Sequence, residues 1–92
     1  MLHIVVYDIS DAKRLRHAAR LCERFGVRVE KSVFEANLED EEFRGFWRLL
    51  NREIDTEEDS LIAYRICRSC AKDVLTAGVA IRPEEEAECL VV

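Results

Sequence analysis

Val27-Arg28-Val29-Glu30-Lys31-Ser32-Val33-Phe34-Glu35-Ala36-Asn37-Leu38 is the stretch whose reading decides the fold. Its apolar residues fall on odd numbers at 27, 29 and 33, then on even numbers at 34, 36 and 38. Side chains on a strand alternate between two faces, so a one-residue slip exchanges those faces. The chain must therefore bulge, bend or turn near residues 31–33. We read two short strands here, or one strongly kinked strand.

Upstream, Leu2-His3-Ile4-Val5-Val6-Tyr7 is almost wholly apolar, long enough for one strand and too short to favour a helix. Both of its faces read apolar, as expected for a central strand covered on two sides. The run stops on Asp8, which puts a carboxylate at the rim of a sheet, where α/β proteins tend to place their sites. On local pattern alone a turn cap is the plainer reading of Asp8. Ser10 or Asp11 can then cap a helix running to about Phe25, with Gly26 just past its end. Leu15, Ala18, Cys22 and Phe25 mark the buried stripe of that helix. Lys13, Arg16, Arg20 and Arg24 stand on the other side, with Arg14 and His17 near the first turn. Arg16, Arg20 and Arg24 recur every fourth residue, and like charges so spaced cost a few tenths of a kcal/mol per pair. A row this poor in acids is better explained by a polyanion than by solubility.

Downstream, a second helix is expected over roughly Asp40 to Glu53, with acids at Glu39 to Glu42 suiting its positive end. Phe43, Phe46, Trp47, Leu50 and Ile54 form its core face; Arg44, Arg48 and Arg52 form the outer one. The acidic turn Asp55-Thr56-Glu57-Glu58-Asp59 leads into a strand over Leu61–Ile66. A short helix is expected over Arg68 to Leu75, a strand at Gly78–Ile81, and a polar break at Pro83 and Glu84–Glu86. Cys89-Leu90-Val91-Val92 reads as a short apolar strand that invites pairing with another subunit. Strand, helix, phase-shifting strand pair, helix, strand is the split βαβ of a ferredoxin-like α+β domain. Its two helices cover one face of a four-stranded antiparallel sheet, and a face-to-face homodimer would cover the other. We expect a single domain over 1–92, with the strand at about 88–92 at the dimer interface.

Composition agrees with a soluble globular protein: 49% hydrophobic and 36% charged over 92 residues. No apolar stretch approaches the roughly 20 residues that span a bilayer, and the first residues lack the basic and apolar pattern of a signal peptide, so secretion is not expected. The expected location is cytoplasmic, with no membrane association. The net charge of −5 hides an asymmetry. Residues 1–34 hold seven Lys/Arg against four Asp/Glu, whereas residues 35–92 hold seven against fifteen. The basic third contains Asp8, so nucleic acid remains a candidate partner despite the total. Cys67-Arg68-Ser69-Cys70 is a single Cys-x-x-Cys. Structural zinc usually needs a second pair or two nearby histidines, and His3 and His17 are distant in sequence. Structural cysteines are the main expectation, with zinc or redox chemistry the lesser ones.

Val5-Val6-Tyr7-Asp8-Ile9, an Arg-rich helix, and then Phe25-Gly26-Val27-Arg28-Val29-Glu30-Lys31-Ser32-Val33-Phe34-Glu35 together resemble the CRISPR-associated adaptation protein family, the small ferredoxin-like partner of the CRISPR integrase, whose members are also described as endoribonucleases. The likeness covers essentially the whole chain. It departs at Glu30, where a glutamine is frequent, and at Ser10, where a proline or threonine is common. The resemblance implies a homodimer in which Asp8 and its symmetry mate face each other near the two-fold axis, as catalytic residue and Mg2+ ligand. Arg14, Arg16, Arg20, Arg28 and Lys31 would hold RNA or double-stranded DNA by its phosphates. Tyr7 and Phe34 would shape the site, with core packing the main role of Phe34. The implied function is a CRISPR adaptation subunit that bridges integrase copies, with metal-dependent endonuclease activity. A purely structural DNA-binding bridge and a toxin-type endoribonuclease of the virulence-associated family are the alternatives.

Overall fold

A computed structural model describes residues 1–78. The elements are β1 (Leu2–Asp8), α1 (Ala12–Phe25), β2 (Val27–Glu30), β3 (Val33–Asn37), α2 (Asp40–Arg52), β4 (Ser60–Ile66) and α3 (Arg68–Lys72). The strands form one sheet in the order β2-β3-β1-β4, and every neighbouring pair is antiparallel. The fold is therefore the expected ferredoxin-like α+β arrangement. The helix expected to reach Leu75 stops at Lys72. Gly78 is a turn residue with φ of 72°. The rest of the expected strand at Gly78–Ile81, the polar break and the strand at about 88–92 lie outside the described residues. Among the described residues no helix is long and apolar enough to cross a membrane.

The phase change at residues 31–33 resolves into a turn plus a bulge. β2 and β3 are separated by the turn at Lys31 and Ser32, and their register shifts between Arg28 and Glu30. Phe34 and Ala36 consequently point into the core, and β2 remains largely exposed as an edge strand.

On the helix-covered face, Val5 and Tyr7 of β1 and Phe34 of β3 meet Ala18, Leu21 and Cys22 of α1 and Phe46 and Leu50 of α2. Directly paired residues share a face, so Ile4, Val6 and Asp8 lie opposite, with Ile62 and Tyr64 of β4 across from Val6 and Ile4. That second face is open: Ile62 is 48% and Tyr64 54% exposed.

Local chemistry accounts for the helix ends. Asp11 caps α1 by accepting the Arg14 N–H at 2.9 Å, which satisfies one of the orphan donors of the first turn. The Glu39 N–H donates to Glu42 Oε1 at 3.3 Å at the start of α2. His3 joins the core by stacking on Phe43, ring centroids 3.9 Å apart, and its pKa is lowered chiefly by burial. Gly26 ends α1 in an extended conformation, φ −161°, so it does not serve there as a left-handed cap. A Cβ at this position would instead strike the Glu35 carbonyl oxygen and come within 3.0 Å of Ala36. Glycine is needed at this position so that α1 can pass closely over β3.

Candidate metal and nucleic-acid site

Asp8 is exposed at the end of β1 and pairs across the sheet with Ser60 of β4. Two structures hold the backbone around it. On one side, the Tyr7 N–H donates to Ser32 O at 3.0 Å and the Tyr7 hydroxyl to Lys31 O at 3.2 Å, which fastens the β2–β3 turn to the strand tip. On the other, the chain dips inward at Ile9, which is buried, and emerges at Ser10.

Asp59 organises that second side. Its side chain is fully buried, and its carboxylate accepts the Ser10 N–H at 3.1 Å, the Ser10 hydroxyl at 3.3 Å and the Asp55 N–H at 2.8 Å. Arg14 completes the set, with Nε 2.9 Å from Oδ2 and Nη2 3.2 Å from Oδ1. A bidentate guanidinium–carboxylate pair combines charge with fixed geometry. The Arg14 hydrogen bonds hold the Asp59 carboxyl well below the usual carboxylate range, with the Asp55 and Ser10 N–H groups acting in the same direction. Glu58 adds a more exposed contact to Arg14 at 3.3 Å. The carboxylate thus ties together the loop after β1, the first turn of α1 and the turn before β4. In sequence, Asp55–Asp59 reads only as an acidic turn. Nothing in that run separates Asp59 from its neighbouring acids except its place directly before β4.

The residues expected at the site fall into three groups. Arg14, expected as a phosphate ligand, is hydrogen-bonded to Asp59 and Glu58 and so supports the loop frame. Arg16, Arg20 and Lys31 are exposed, and among the described residues no ion pair engages them; Arg28 meets Glu23 at 3.2 Å, with both side chains about half exposed. Arg16 and Arg20 stand on the outer surface of the helix layer, so the sheet separates them from the open face to which Asp8 belongs. Tyr7 and Phe34 are buried, with ring centroids 5.8 Å apart on the helix-covered side. Phe34 is part of the core, and Tyr7 holds the β2–β3 turn through its hydroxyl.

For a metal, the donor chemistry is clear. A carboxylate is a hard oxygen donor of the kind Mg2+ prefers, and Asp8 is exposed at the strand tip. Among the described residues no cluster of three or more His, Cys, Asp or Glu could hold a metal ion.

Comparison with known proteins follows the same line. Residues 1–74 match the model of the family described as CRISPR associated protein Cas2. A CRISPR-associated endoribonuclease Cas2 of Chloroflexus aurantiacus is 38% identical over 93 residues, covering 100% of both chains. A CRISPR-associated endonuclease Cas2 of Halalkalibacterium halodurans is 37% identical, covering 72% of this chain and 74% of its own. The crystal structure of Streptococcus pyogenes Cas2 at pH 6.5 superposes with a TM-score of 0.77 at 36% identity, covering 85% of this chain and 100% of that one. A hypothetical protein from Thermus thermophilus superposes at 0.79 with 33% identity, covering 89% and 95%. The toxin-type alternative gives way to these findings. The chain belongs to the CRISPR-associated Cas2 family.

Proposed function

We propose that the chain is a homodimeric CRISPR adaptation subunit that binds RNA or double-stranded DNA, bridges copies of the integrase, and cleaves phosphodiester bonds with Mg2+ at a paired Asp8. The observation that carries this reading is the position of Asp8, an exposed carboxylate on the same open sheet face as Ile62 and Tyr64. A second copy packed face to face would cover those apolar side chains and bring two Asp8 carboxylates together. The relatives named endoribonuclease and endonuclease support phosphodiester chemistry.

Two carboxylates, waters and a phosphate oxygen make a suitable set for a hard cation, and they also relieve the repulsion between the carboxylates. When bound, Mg2+ supplies charge neutralisation at the phosphate and a more acidic water. The rest is done by the chain itself. Asp8 fixes the locus at a rigid strand tip, and the Asp59–Arg14 clamp holds the loop that follows. Tyr7 anchors the turn that presents Lys31. Arg16, Arg20, Arg28 and Lys31 take backbone phosphates without reading sequence. The acidic residues after Phe34 suit contact with the integrase, with the strand expected at about 88–92 as the docking element.

The test is cleavage of RNA, single-stranded DNA and duplex DNA by purified wild type with Mg2+ or EDTA. The expected result is Mg2+-dependent cleavage that EDTA abolishes. Nucleic-acid binding and spacer acquisition without any cleavage would leave the purely structural bridge.

A further inference from the structure

Cys67 and Cys70 stand apart from the Asp8 rim. β4 pairs its Ser60 end with Asp8 and its Ile66 end with Leu2. The two cysteines follow Ile66, so they lie at the opposite end of a seven-residue strand, roughly 20 Å away. Both thiols are free and exposed. This differs from Cys22, which is buried in the core with its thiol pushed up to about 12 by that burial.

The backbone brings the pair together. Cys67 caps α3, the Ala71 N–H donates to Cys67 O at 2.9 Å, and the Asp73 N–H donates to Cys70 O at 3.1 Å. Residues three apart in such a turn have Cα atoms about 5 Å apart, within the roughly 4.4–6.8 Å that a disulfide spans. The Ser69 hydroxyl sits 3.3 Å from Cys67 Sγ. Two thiolates are only half of a tetrahedral zinc set, and no third His, Cys, Asp or Glu gathers with them among the described residues. As a dithiol the pair is already complete. The flanking charges are mostly cationic: Arg65 is matched by Asp40 at 3.5 Å, Arg68 and Lys72 are exposed on α3, and Asp73 is the acid that acts on Cys70.

We propose that Cys67 and Cys70 are a redox-active dithiol that exchanges with small anionic disulfides of the glutathione class, Cys67 attacking and Cys70 resolving. In the first step the Cys67 thiolate attacks one sulfur of the disulfide; a mixed disulfide forms, and one thiolate leaves and takes up a proton. In the second, the Cys70 thiol gives its proton to solvent and attacks Cys67 Sγ, forming the Cys67–Cys70 bond and releasing the second thiol. The protein loses two electrons and two protons, and one small disulfide becomes two thiols. The roles follow from the local field. The Ser69 hydroxyl, then the Cys70 N–H and thiol, bring the Cys67 thiol down to about 7, whereas Cys67 pushes the Cys70 thiol up. The thiolate fraction of the attacker and the nearness of the resolver both favour closure.

The experiment uses the full chain, reduced and freed of reductant, then exposed to glutathione disulfide and followed by intact mass and peptide mapping. Wild type is expected to lose two hydrogens, with the new bond mapped to Cys67–Cys70. Cys70→Ser should retain one glutathione on Cys67, captured at a rate that rises with pH. Cys67→Ser should react roughly five- to tenfold more slowly at neutral pH. Both positions are exposed, so unchanged thermal unfolding of the variants is expected. A disulfide mapping to Cys22 or Cys89, a stable glutathione adduct on wild type, equal rates in the two variants, or no reaction would overturn the proposal. So would a bound metal that a chelator must strip before the thiols react.

Discussion

Arg14 and Asp59 are 45 positions apart, yet Arg14 Nε lies 2.9 Å from Asp59 Oδ2, and the contact joins the two loops that flank Asp8. It is better described as the fastening of the site than as part of its phosphate surface. Asp59→Asn should therefore lower the melting temperature by several degrees at pH 7. The folded protein depresses the Asp59 pKa. Such a group stabilises above its unfolded value near about 4, and the contribution is lost as pH falls toward the folded value. Thermal unfolding from neutral pH downward should show wild type and Asp59→Asn converging below about pH 4. A constant gap at acid pH would contradict this assignment.

Gly26 and Gly45 separate two reasons for a glycine. Gly26 has an extended backbone that alanine can adopt, so Gly26→Ala is costly only through its collision with Glu35 O and Ala36. We expect a loss of about 1–3 kcal/mol from overpacking. Gly45 sits within α2 with open space where a Cβ would stand, and Gly45→Ala should gain about 0.5–1 kcal/mol. Denaturant unfolding of both variants reads the two signs.

The core makes a graded prediction. Phe46 is 1% exposed and touches Phe25 and Phe43 with ring centroids 4.9 and 5.9 Å away, whereas Trp47 is only partly buried. Phe46→Ala should cost about 3–5 kcal/mol, and Trp47→Ala distinctly less. Equal losses in denaturant unfolding would mean that the aromatic face of α2 is buried more evenly than described.

Much of this was legible in the sequence. Strand alternation with a slip is a local signal, so the β2–β3 turn and bulge could be read from residues 27–38. The apolar stripes of α1 and α2 and the strand ending on Asp8 are likewise short-range patterns. Long-range pairing leaves no such periodicity. Arg14 looked like its basic neighbours until the fold delivered Asp59 to it, and Asp59 looked like one acid among several. Cys67 and Cys70 were visible as a motif, but their exposure depends on where β4 ends. Gly26 was read as a helix stop, although its reason is a neighbour in β3.

Arg16 and Arg20 test the phosphate surface independently of the clamp. Binding to duplex DNA and to RNA, measured by fluorescence anisotropy over a range of salt, should weaken on Arg16→Ala or Arg20→Ala. The salt slope should fall by about 1 per residue, without a change in melting temperature. Arg14→Ala should do the reverse, lowering the melting temperature through the loss of Asp59's partner.

The most direct test is the Asp8→Asn variant. Asp8 is exposed, so the substitution should leave stability within about 0.5 kcal/mol of wild type. Nuclease-free preparations of both proteins, assayed side by side with Mg2+, should show cleavage by wild type and none by Asp8→Asn, with nucleic-acid binding retained by both. Equal Mg2+-dependent cleavage by Asp8→Asn would contradict the assignment of the chemistry to the strand tip.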